Sequence, residues 1–238
     1  MESSTLHWLI GRAFDSIDRR ARVVERLIAD HRSEFGENTR EPSIDAICIS
    51  MVSLAAMAKY RFESVTGRAP EQFRSLLNHY APASFVDRVS VPEMTQFYSS
   101  TFPSTFLASV RRSFSQGLPA SMYSPSSDPT VVEFLEWMRN AGIAEPRELW
   151  RVFHSSLIYA KYRNPVLHGL RIADGDEPYN MWFGQPEVYY SNRHLPHGAP
   201  DEQGRLFGVT DRYLLRVLQE VSVRLREWCL REERWIFG

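Results

Sequence analysis

The segment from Tyr162 to Gly169 carries the side chains of this chain that are best suited to acid–base chemistry. Its sequence, Tyr-Arg-Asn-Pro-Val-Leu-His-Gly, places Arg163, Asn164 and His168 close together. Histidine titrates closer to neutral pH than the other side chains, so it can accept or donate a proton in catalysis. The guanidinium of arginine stays charged and can stabilise negative charge that develops on a phosphoryl group. These residue types could therefore transfer a proton and stabilise negative charge at one site.

Pro165 changes how Arg163 and His168 can face each other. In an unbroken helix, two residues five positions apart point in directions about 140° apart. The proline disfavours helical backbone at Asn164 and suits the first turn of a new helix, for which Asn164 is a good N-cap. We therefore predict that Arg163 ends one helix, that His168 lies one turn into the next, and that both side chains converge on one site.

The spacing between an arginine and a histidine is weakly informative by itself. With 26 arginines and 7 histidines in 238 residues, chance gives about 0.8 matches for each allowed spacing. Three other pairs have comparable spacings: Arg26 with His31, Arg74 with His79, and Arg147 with His154. Arg163 differs from these because asparagine follows it, whereas leucine, serine and glutamate follow the others.

An arginine that is followed directly by a polar residue, and several positions later by a histidine, resembles the signature of the HEPN superfamily. Arg163, Asn164 and His168 match that signature position by position, although Pro165 is not general to the family. The resemblance implies a helical bundle that acts as a metal-independent endoribonuclease, with these three residues as its catalytic residues. It also implies a homodimer whose two motifs form one site, and a role as a toxin or phage-defence effector.

The residue types fit cleavage of RNA, because the 2′-hydroxyl of RNA is itself the nucleophile and the enzyme needs only proton transfer and charge stabilisation. Such cleavage leaves a 2′,3′-cyclic phosphate and a 5′-hydroxyl. Substrate contacts are predicted for three residues near the motif: His154, Tyr162 and Arg171. The expected partners are RNA, with tRNA as one candidate, and an antitoxin or regulatory protein, with no cofactor. The competing interpretation is that the motif only ends a helix, with Tyr162 and His154 in the core.

Two acidic or histidine-rich stretches resemble metal sites only in part. His194 and His197, with Asp201 and Glu202 nearby, lack the helical spacing of zinc-hydrolase motifs because a proline separates the histidines. The acidic residues from Asp174 to Glu177 match only a fragment of a calcium loop and are typical of a solvated turn. We therefore predict no metal site.

The composition is that of a globular protein, with 43% hydrophobic and 24% charged residues. The 28 basic and 29 acidic side chains give a net charge of -1, so no overall positive field indicates nucleic-acid binding. Cys48 and Cys229 are too few for a disulfide framework or a thiolate metal site. We find no apolar run long enough to span a bilayer and no secretory signal, and we predict a cytoplasmic protein without a membrane partner.

Apolar residues that recur every three or four positions predict helices along most of the chain. The first runs from about Thr5 to Glu34 and is stopped by Gly36. The second runs from Ile44 to Val65, after Ser43, and is apolar almost all round, which predicts a central, buried helix. Further predicted elements are helices over Pro70–Tyr80, Thr130–Asn140, Glu145–Ala160 and from Thr210 or Asp211 onward, and a β-hairpin of Tyr179–Phe183 with Glu187–Tyr190.

Residues 81–129 are rich in serine and are interrupted by prolines, including Pro92. We predict an insertion that packs on the core, with one helix from Phe106 to Phe114, because a disordered linker would not keep so many aromatic residues.

We therefore predict a single all-α, HEPN-like domain over residues 1–238, with a small β-hairpin. Residues 130–238 carry the Arg163 motif and the last long helix. The alternative function is a non-catalytic HEPN-like module that dimerises or binds a protein, RNA or a small ligand. The balanced net charge favours this alternative, since RNA-binding surfaces are usually basic.

Overall fold

The computed structural model describes residues 3–36, 43–63, 68–81, 85, 87–114, 127–163, 188–192 and 205–237. These residues are mostly helical, with a single antiparallel pair of strands among them, so the predicted all-α class is confirmed. The chain divides into two compact units. The first unit comprises Met1–Phe85, Tyr159–Ala173 and Thr210–Gly238, and the second comprises Val86–Ile158 and Asp174–Val209. Among the described helices, none combines the length and the apolar character of a membrane-spanning segment.

The elements follow one another along both units. In chain order they are α1 (Ser3–Phe35), α2 (Ile44–Phe62), α3 (Ala69–Tyr80), α4 (Val91–Phe97), α5 (Ser104–Phe114), α6 (Val131–Asn140), a 3-10 turn (Leu149–Val152), α7 (His154–Ile158), a π-turn (Tyr159–Arg163), β1 (Val188–Asn192), β2 (Arg205–Val209) and α8 (Asp211–Arg231). The helices predicted at α1, α2, α3, α5, α6 and α8 are confirmed. Val65, the predicted end of α2, lies outside the described residues.

Several helix ends are set by local features that the sequence predicts. The Ser43 hydroxyl accepts a hydrogen bond from the backbone N–H of Ala46 at 3.3 Å and so begins α2. Thr210 begins α8 in the same way, through the N–H of Tyr213 at 3.0 Å. α1 is followed by Gly36, whose φ of 93° is a left-handed conformation that glycine adopts without strain. These residues therefore separate the three long helices from the segments that connect them.

The first unit is built on three long helices, and Asp211 ties their ends together. The buried Asp211 carboxylate accepts a hydrogen bond from the N–H of Ser43, before α2, at 3.0 Å. It also lies 3.6 Å from the guanidinium of Arg32, near the end of α1. Further along, the Ser222 hydroxyl of α8 donates to a carboxylate oxygen of Asp18 in α1 at 3.1 Å. α1 therefore runs antiparallel to α8, and α2 starts at the same end as α8.

α2 is the central helix of the first unit, as its apolar sequence predicts. It packs against α1, α3, α8 and the π-turn. Because neighbours surround it, its buried side chains lie on most of its circumference. These buried residues are Ala46, Ile47, Ser50, Met51, Ser53, Leu54, Met57, Ala58 and Phe62.

In the second unit, three segments that are distant in sequence pair through their backbones. The N–H of Val89 donates to the carbonyl of Pro129 at 2.9 Å on one side. The N–H of Ser90 donates to the carbonyl of Val152 at 2.9 Å on the other. Both bridges are antiparallel. Because each segment contributes so few pairing residues, no alternation in the sequence predicts them.

The second unit has a hydrophobic core of its own. The rings of Tyr98 and Phe102 lie 5.1 Å apart, and the Phe106 ring lies 6.1 Å from that of Phe134 in α6. Aromatic residues of the serine- and proline-rich segment therefore pack with α6 as part of a folded unit. The buried residues of this core are Val89, Val91, Met94, Tyr98, Phe102, Phe106, Leu107, Val110, Phe134, Met138, Leu149, Val152 and Phe153.

α4 is a helix that the sequence does not predict. Pro92 lies in its first turn, where the missing N–H of proline costs nothing, so it helps to start this helix rather than to interrupt the chain. Ser90 caps the helix by accepting a hydrogen bond from the N–H of Glu93 at 3.4 Å. The Ser-x-Pro-Glu sequence at residues 90–93 is typical of a helix start, so the sequence does contain a pattern that could have predicted α4.

The prediction of one continuous helix from Glu145 to Ala160 is wrong. The chain forms a 3-10 turn over Leu149–Val152 and then becomes extended at Phe153, with φ −77° and ψ 143°. Phe153 pairs with Val89 in one of the antiparallel bridges, and helical structure resumes only after it. A tertiary contact therefore overrides the local helical pattern.

One strand of the described hairpin, β2, is not predicted by the sequence. β1 pairs with β2 in an antiparallel register that runs from Val188 opposite Val209 to Asn192 opposite Arg205. The predicted second strand overlaps β1, whereas β2 lies in the segment before α8, where the sequence predicts a loop. The predicted first strand, Tyr179–Phe183, falls outside the described residues.

The capping box of α6 predicts a stability contribution that depends on pH. The Thr130 hydroxyl accepts from the Glu133 N–H at 3.2 Å, and the Glu133 carboxylate accepts from the Thr130 N–H at 2.7 Å. Hydrogen bonds from the side chain and then the backbone of Thr130 lower the pKa of Glu133. This contribution is therefore present above the unfolded pKa of glutamate and is lost as pH falls through the lower folded value.

We expect Thr130→Ala to lower the free energy of unfolding by about 1 kcal/mol. We also expect Glu133→Gln to destabilise the protein more at about pH 7 than at about pH 3, because the contribution of the carboxylate is progressively lost as pH falls through its lowered folded pKa. Urea denaturation at both pH values measures these effects. The control is Glu136→Gln, which changes an exposed glutamate on the same helix. An equal effect of Glu133→Gln at both pH values would contradict the prediction.

The two cysteines are expected to differ in reactivity. Cys229 is fully buried in α8, and burial raises the pKa of its thiol to about 11 against a smaller opposing effect of Arg61. Cys48 is partly exposed. In Cys48→Ser protein we expect a thiol reagent to label Cys229 only as fast as the protein unfolds, whereas Cys229→Ser protein is labelled in its native state. Mass spectrometry with and without urea measures both rates, and rapid native labelling of Cys229 would contradict the prediction.

Candidate functional site

Arg163 is the last residue of the π-turn. Tyr159–Arg163 continues directly from α7, but with the wider winding of a π-helix. Such segments are rare, and they occur frequently at functional sites. The turn packs against α2 and α3 in the first unit. Arg163 therefore lies in helical structure, and the helix end that the sequence predicts after it falls among residues outside the described part of the chain.

The Arg163 guanidinium lies against an aromatic ring. Its Cζ is 5.7 Å from the centroid of the Tyr159 ring, and a guanidinium is attracted to the face of an aromatic ring within about 6 Å. Tyr159 is only 5% exposed, and its ring packs on that of Phe73 in α3 at 5.3 Å. The Arg163 side chain itself is half-buried. A positive charge is therefore held at the end of the π-turn beside a ring that neighbouring helices support.

The other two residues of the predicted catalytic motif, Asn164 and His168, lie outside the described residues, and so does Arg171. The structure therefore gives the position of Arg163 alone among the motif residues. The convergence of Arg163 and His168 on one site stays a prediction, as does the helix start at Asn164 and Pro165.

Two of the predicted substrate contacts are buried. Tyr162 is 3% exposed within the first unit, and His154 is 5% exposed within the second. A phosphate or a base must reach a side chain in order to contact it, so this burial favours the competing interpretation that both residues belong to the core. We therefore leave Tyr162 and His154 out of the proposed site.

His154 forms a buried pair with a carboxylate. Its Nε2 lies 2.7 Å from Oδ2 of Asp128, and the two side chains are 7% and 0% exposed. The other carboxylate oxygen of Asp128 accepts a hydrogen bond from the N–H of Val91, at the start of α4, at 3.1 Å. The His154 ring also packs on Phe207 of β2, with centroids 4.5 Å apart. The pair thus joins α4, α7, β2 and the segment before α6.

A second carboxylate, that of Asp87, links α7 to the segment before α4. Asp87 accepts hydrogen bonds from the backbone N–H of Ser155 at 3.1 Å and from its hydroxyl at 2.7 Å. The Arg88 guanidinium donates to the backbone carbonyl of Asp128. Sequence reasoning missed Asp87 and Asp128 because each stands alone in an irregular stretch. The one available signal, an aspartate directly before Pro129, is common to many turns.

Within the part of the chain that the structure describes, no three histidine, cysteine, aspartate or glutamate side chains are grouped so that they could hold a metal ion. The residues from His194 to Glu202 lie outside that part. The polar cluster around Asp128 is held together by hydrogen bonds among its own members, as buried polar groups require.

Comparison with known proteins finds no matching family model, no similar curated protein and no similar solved structure.

The burial of the Asp128–His154 pair predicts a large effect on stability. Asp128→Ala removes the partner of a buried histidine and the acceptor of the Val91 N–H. Loss of one partner from a buried pair typically costs about 3 kcal/mol or more, so we expect a loss of that size in the free energy of unfolding, measured by urea denaturation.

The matched control for that prediction is Glu148→Ala. It breaks an exposed pair in the same unit, in which Glu148 and Arg151 lie 2.8 Å apart. Exposed pairs contribute about 0.5 kcal/mol or less. If the two substitutions destabilised the protein equally, the structural role assigned to Asp128 would be wrong.

Proposed function

We propose that the chain is a metal-independent endoribonuclease of the HEPN type, with Arg163, Asn164 and His168 as its catalytic motif. The observation that carries the proposal is Arg163 itself, which lies in the π-turn with its guanidinium half-buried against Tyr159. A guanidinium in such surroundings is less hydrated than one in open solvent, so it attracts a phosphate more strongly.

In the proposed reaction, the 2′-oxygen of RNA attacks the adjacent phosphorus atom. The bond between the 2′-oxygen and phosphorus forms, and the bond between phosphorus and the 5′-oxygen breaks. His168 accepts the proton of the 2′-hydroxyl, and a second acid gives a proton to the 5′-oxygen that leaves. Arg163 stabilises the additional negative charge on the phosphoryl oxygens in the transition state. Asn164 orients the phosphate or the imidazole.

A homodimer would supply the second acid. With two motifs at one site, one His168 acts as the base while His168 of the other copy acts as the acid. The products are a 2′,3′-cyclic phosphate and a 5′-hydroxyl. We propose RNA as the substrate, with tRNA as a candidate, and an antitoxin or regulatory protein as a partner. The proposed setting is the cytoplasm, where the protein acts as a toxin or a phage-defence effector.

The second candidate function is a HEPN-like module that dimerises or binds a protein, RNA or a small ligand without catalysis. The observation that favours it is the balance of charge, because the chain has 28 basic and 29 acidic residues and so a net charge of -1. Proteins that bind RNA usually carry an excess of positive charge, because phosphate contacts supply most of the affinity.

The test is cleavage of total RNA and tRNA in the presence of EDTA. We expect the purified protein to cleave, and we expect His168→Ala and Arg163→Ala to lose about 100-fold or more in rate, as is typical for removal of a general base or a charge-stabilising group. Mass spectrometry of the new ends should show 2′,3′-cyclic phosphates. The matched control is His79→Ala, because His79 has the same spacing from Arg74 and is exposed on α3.

Equal cleavage by the wild-type protein and by His168→Ala would contradict the catalytic role of the motif. A wild-type protein that is folded and dimeric but does not cleave RNA would favour the binding module. Loss of activity in His79→Ala of the same size as in His168→Ala would show that the assay reports stability rather than catalysis.

A further inference from the structure

Tyr159 is the residue in contact with the Arg163 guanidinium in the π-turn. The two residues are four positions apart, and side chains at that separation lie on the same face of a helical segment. The distance from the Arg163 Cζ to the Tyr159 ring centroid is 5.7 Å. This contact joins a charged, half-buried side chain to one that is almost wholly buried.

The Tyr159 ring is itself held in place from α3. Phe73 is completely buried in that helix, and its ring lies 5.3 Å from the Tyr159 ring at an angle of 57°. Tilted aromatic pairs at this distance attract one another and restrict the rotation of both rings. The support for Arg163 therefore extends from α3 through Phe73 and Tyr159 to the guanidinium.

We infer that Tyr159 is a positioning residue for Arg163, an inference that rests on the proposed ribonuclease function. An arginine has several rotatable bonds, and fixing its guanidinium before the substrate arrives removes an entropic cost from the transition state. The attraction between a guanidinium and a ring is electrostatic and uses no N–H hydrogen bond, and the N–H donors are the groups that bind phosphate oxygens. The ring thus orients the charge without taking the place of the phosphate.

The ring of Tyr159, and neither its hydroxyl nor its apolar volume, is the part of the side chain that positions Arg163. Tyr159→Phe keeps the ring, so we expect kcat for RNA cleavage to stay within about twofold of the wild-type value. Tyr159→Leu keeps an apolar side chain but removes the ring. We expect it to lower kcat by about tenfold or more with little change in KM, because the guanidinium acts on the transition state rather than on substrate binding.

The matched control is Phe14→Leu. It makes a similar aromatic-to-aliphatic change at a fully buried position of the same unit, where the ring packs on Phe237 at 5.5 Å. We expect it to lower the stability of the protein but not kcat, when activity is expressed per folded molecule as measured by circular dichroism. A purely structural role of Tyr159 predicts the same behaviour for Tyr159→Leu, and that result would overturn the inference.

A double-mutant cycle adds a second readout. In an Arg163→Ala background, Tyr159→Leu should have no further effect on kcat, because the group that it positions is gone. An unchanged tenfold effect in that background would mean that Tyr159 acts through something other than Arg163, and would overturn the inference.

The same cycle on stability distinguishes failure of the inference from failure of the proposed function. If the wild-type protein does not cleave RNA, the proposed function fails. The coupling between Tyr159→Leu and Arg163→Ala, measured by urea denaturation, then decides whether Tyr159 positions the Arg163 guanidinium. A coupling of about threefold in the unfolding equilibrium constant, the size of a partly exposed contact between a cation and a ring, supports the positioning of the guanidinium. Additive effects of the two substitutions overturn it.

Discussion

The second unit depends on one buried carboxylate. Asp128 accepts hydrogen bonds from the His154 ring and from the N–H of Val91, and its side chain has no exposed surface. A carboxylate in such a place is tolerated only when partners satisfy it, because its loss of hydration is otherwise costly. The segments that carry these partners are far apart in the sequence, so satisfying Asp128 requires that they meet. Their meeting encloses the hydrophobic core between α4, α5 and α6.

In the first unit, too, a buried carboxylate joins segments that are distant in the sequence, and here the segments are the ends of helices. Asp211 joins the start of α8 to Ser43, before α2, and to Arg32 near the end of α1, so one carboxylate sets the relative position of three helix ends. The π-turn packs on this frame through α2 and α3. Arg163 therefore lies in a segment that packs on long helices, and a rigid support of this kind suits a charged group that must be held in a defined position.

His154 and Arg163 are close in the sequence but differ in burial, and this difference gives them different roles. The helical run from His154 to Arg163 crosses from the second unit into the first between Ile158 and Tyr159. At its beginning, His154 stabilises the second unit through Asp128. At its end, Arg163 carries a charge that the proposed chemistry can use, and the buried Tyr159 ring contacts that charge.

The sequence by itself determined the helical class, the helices α1, α2, α3, α5, α6 and α8, and several of their ends. Apolar periodicity and capping residues such as Ser43 act within a few positions, so they can be recognised without the tertiary structure. The tertiary structure decided the extended conformation at Phe153, the partner of β1, the burial of His154 and Tyr162, and the contact of Arg163 with Tyr159. Each of these depends on which distant segment lies alongside, and local residue preferences carry no information about that.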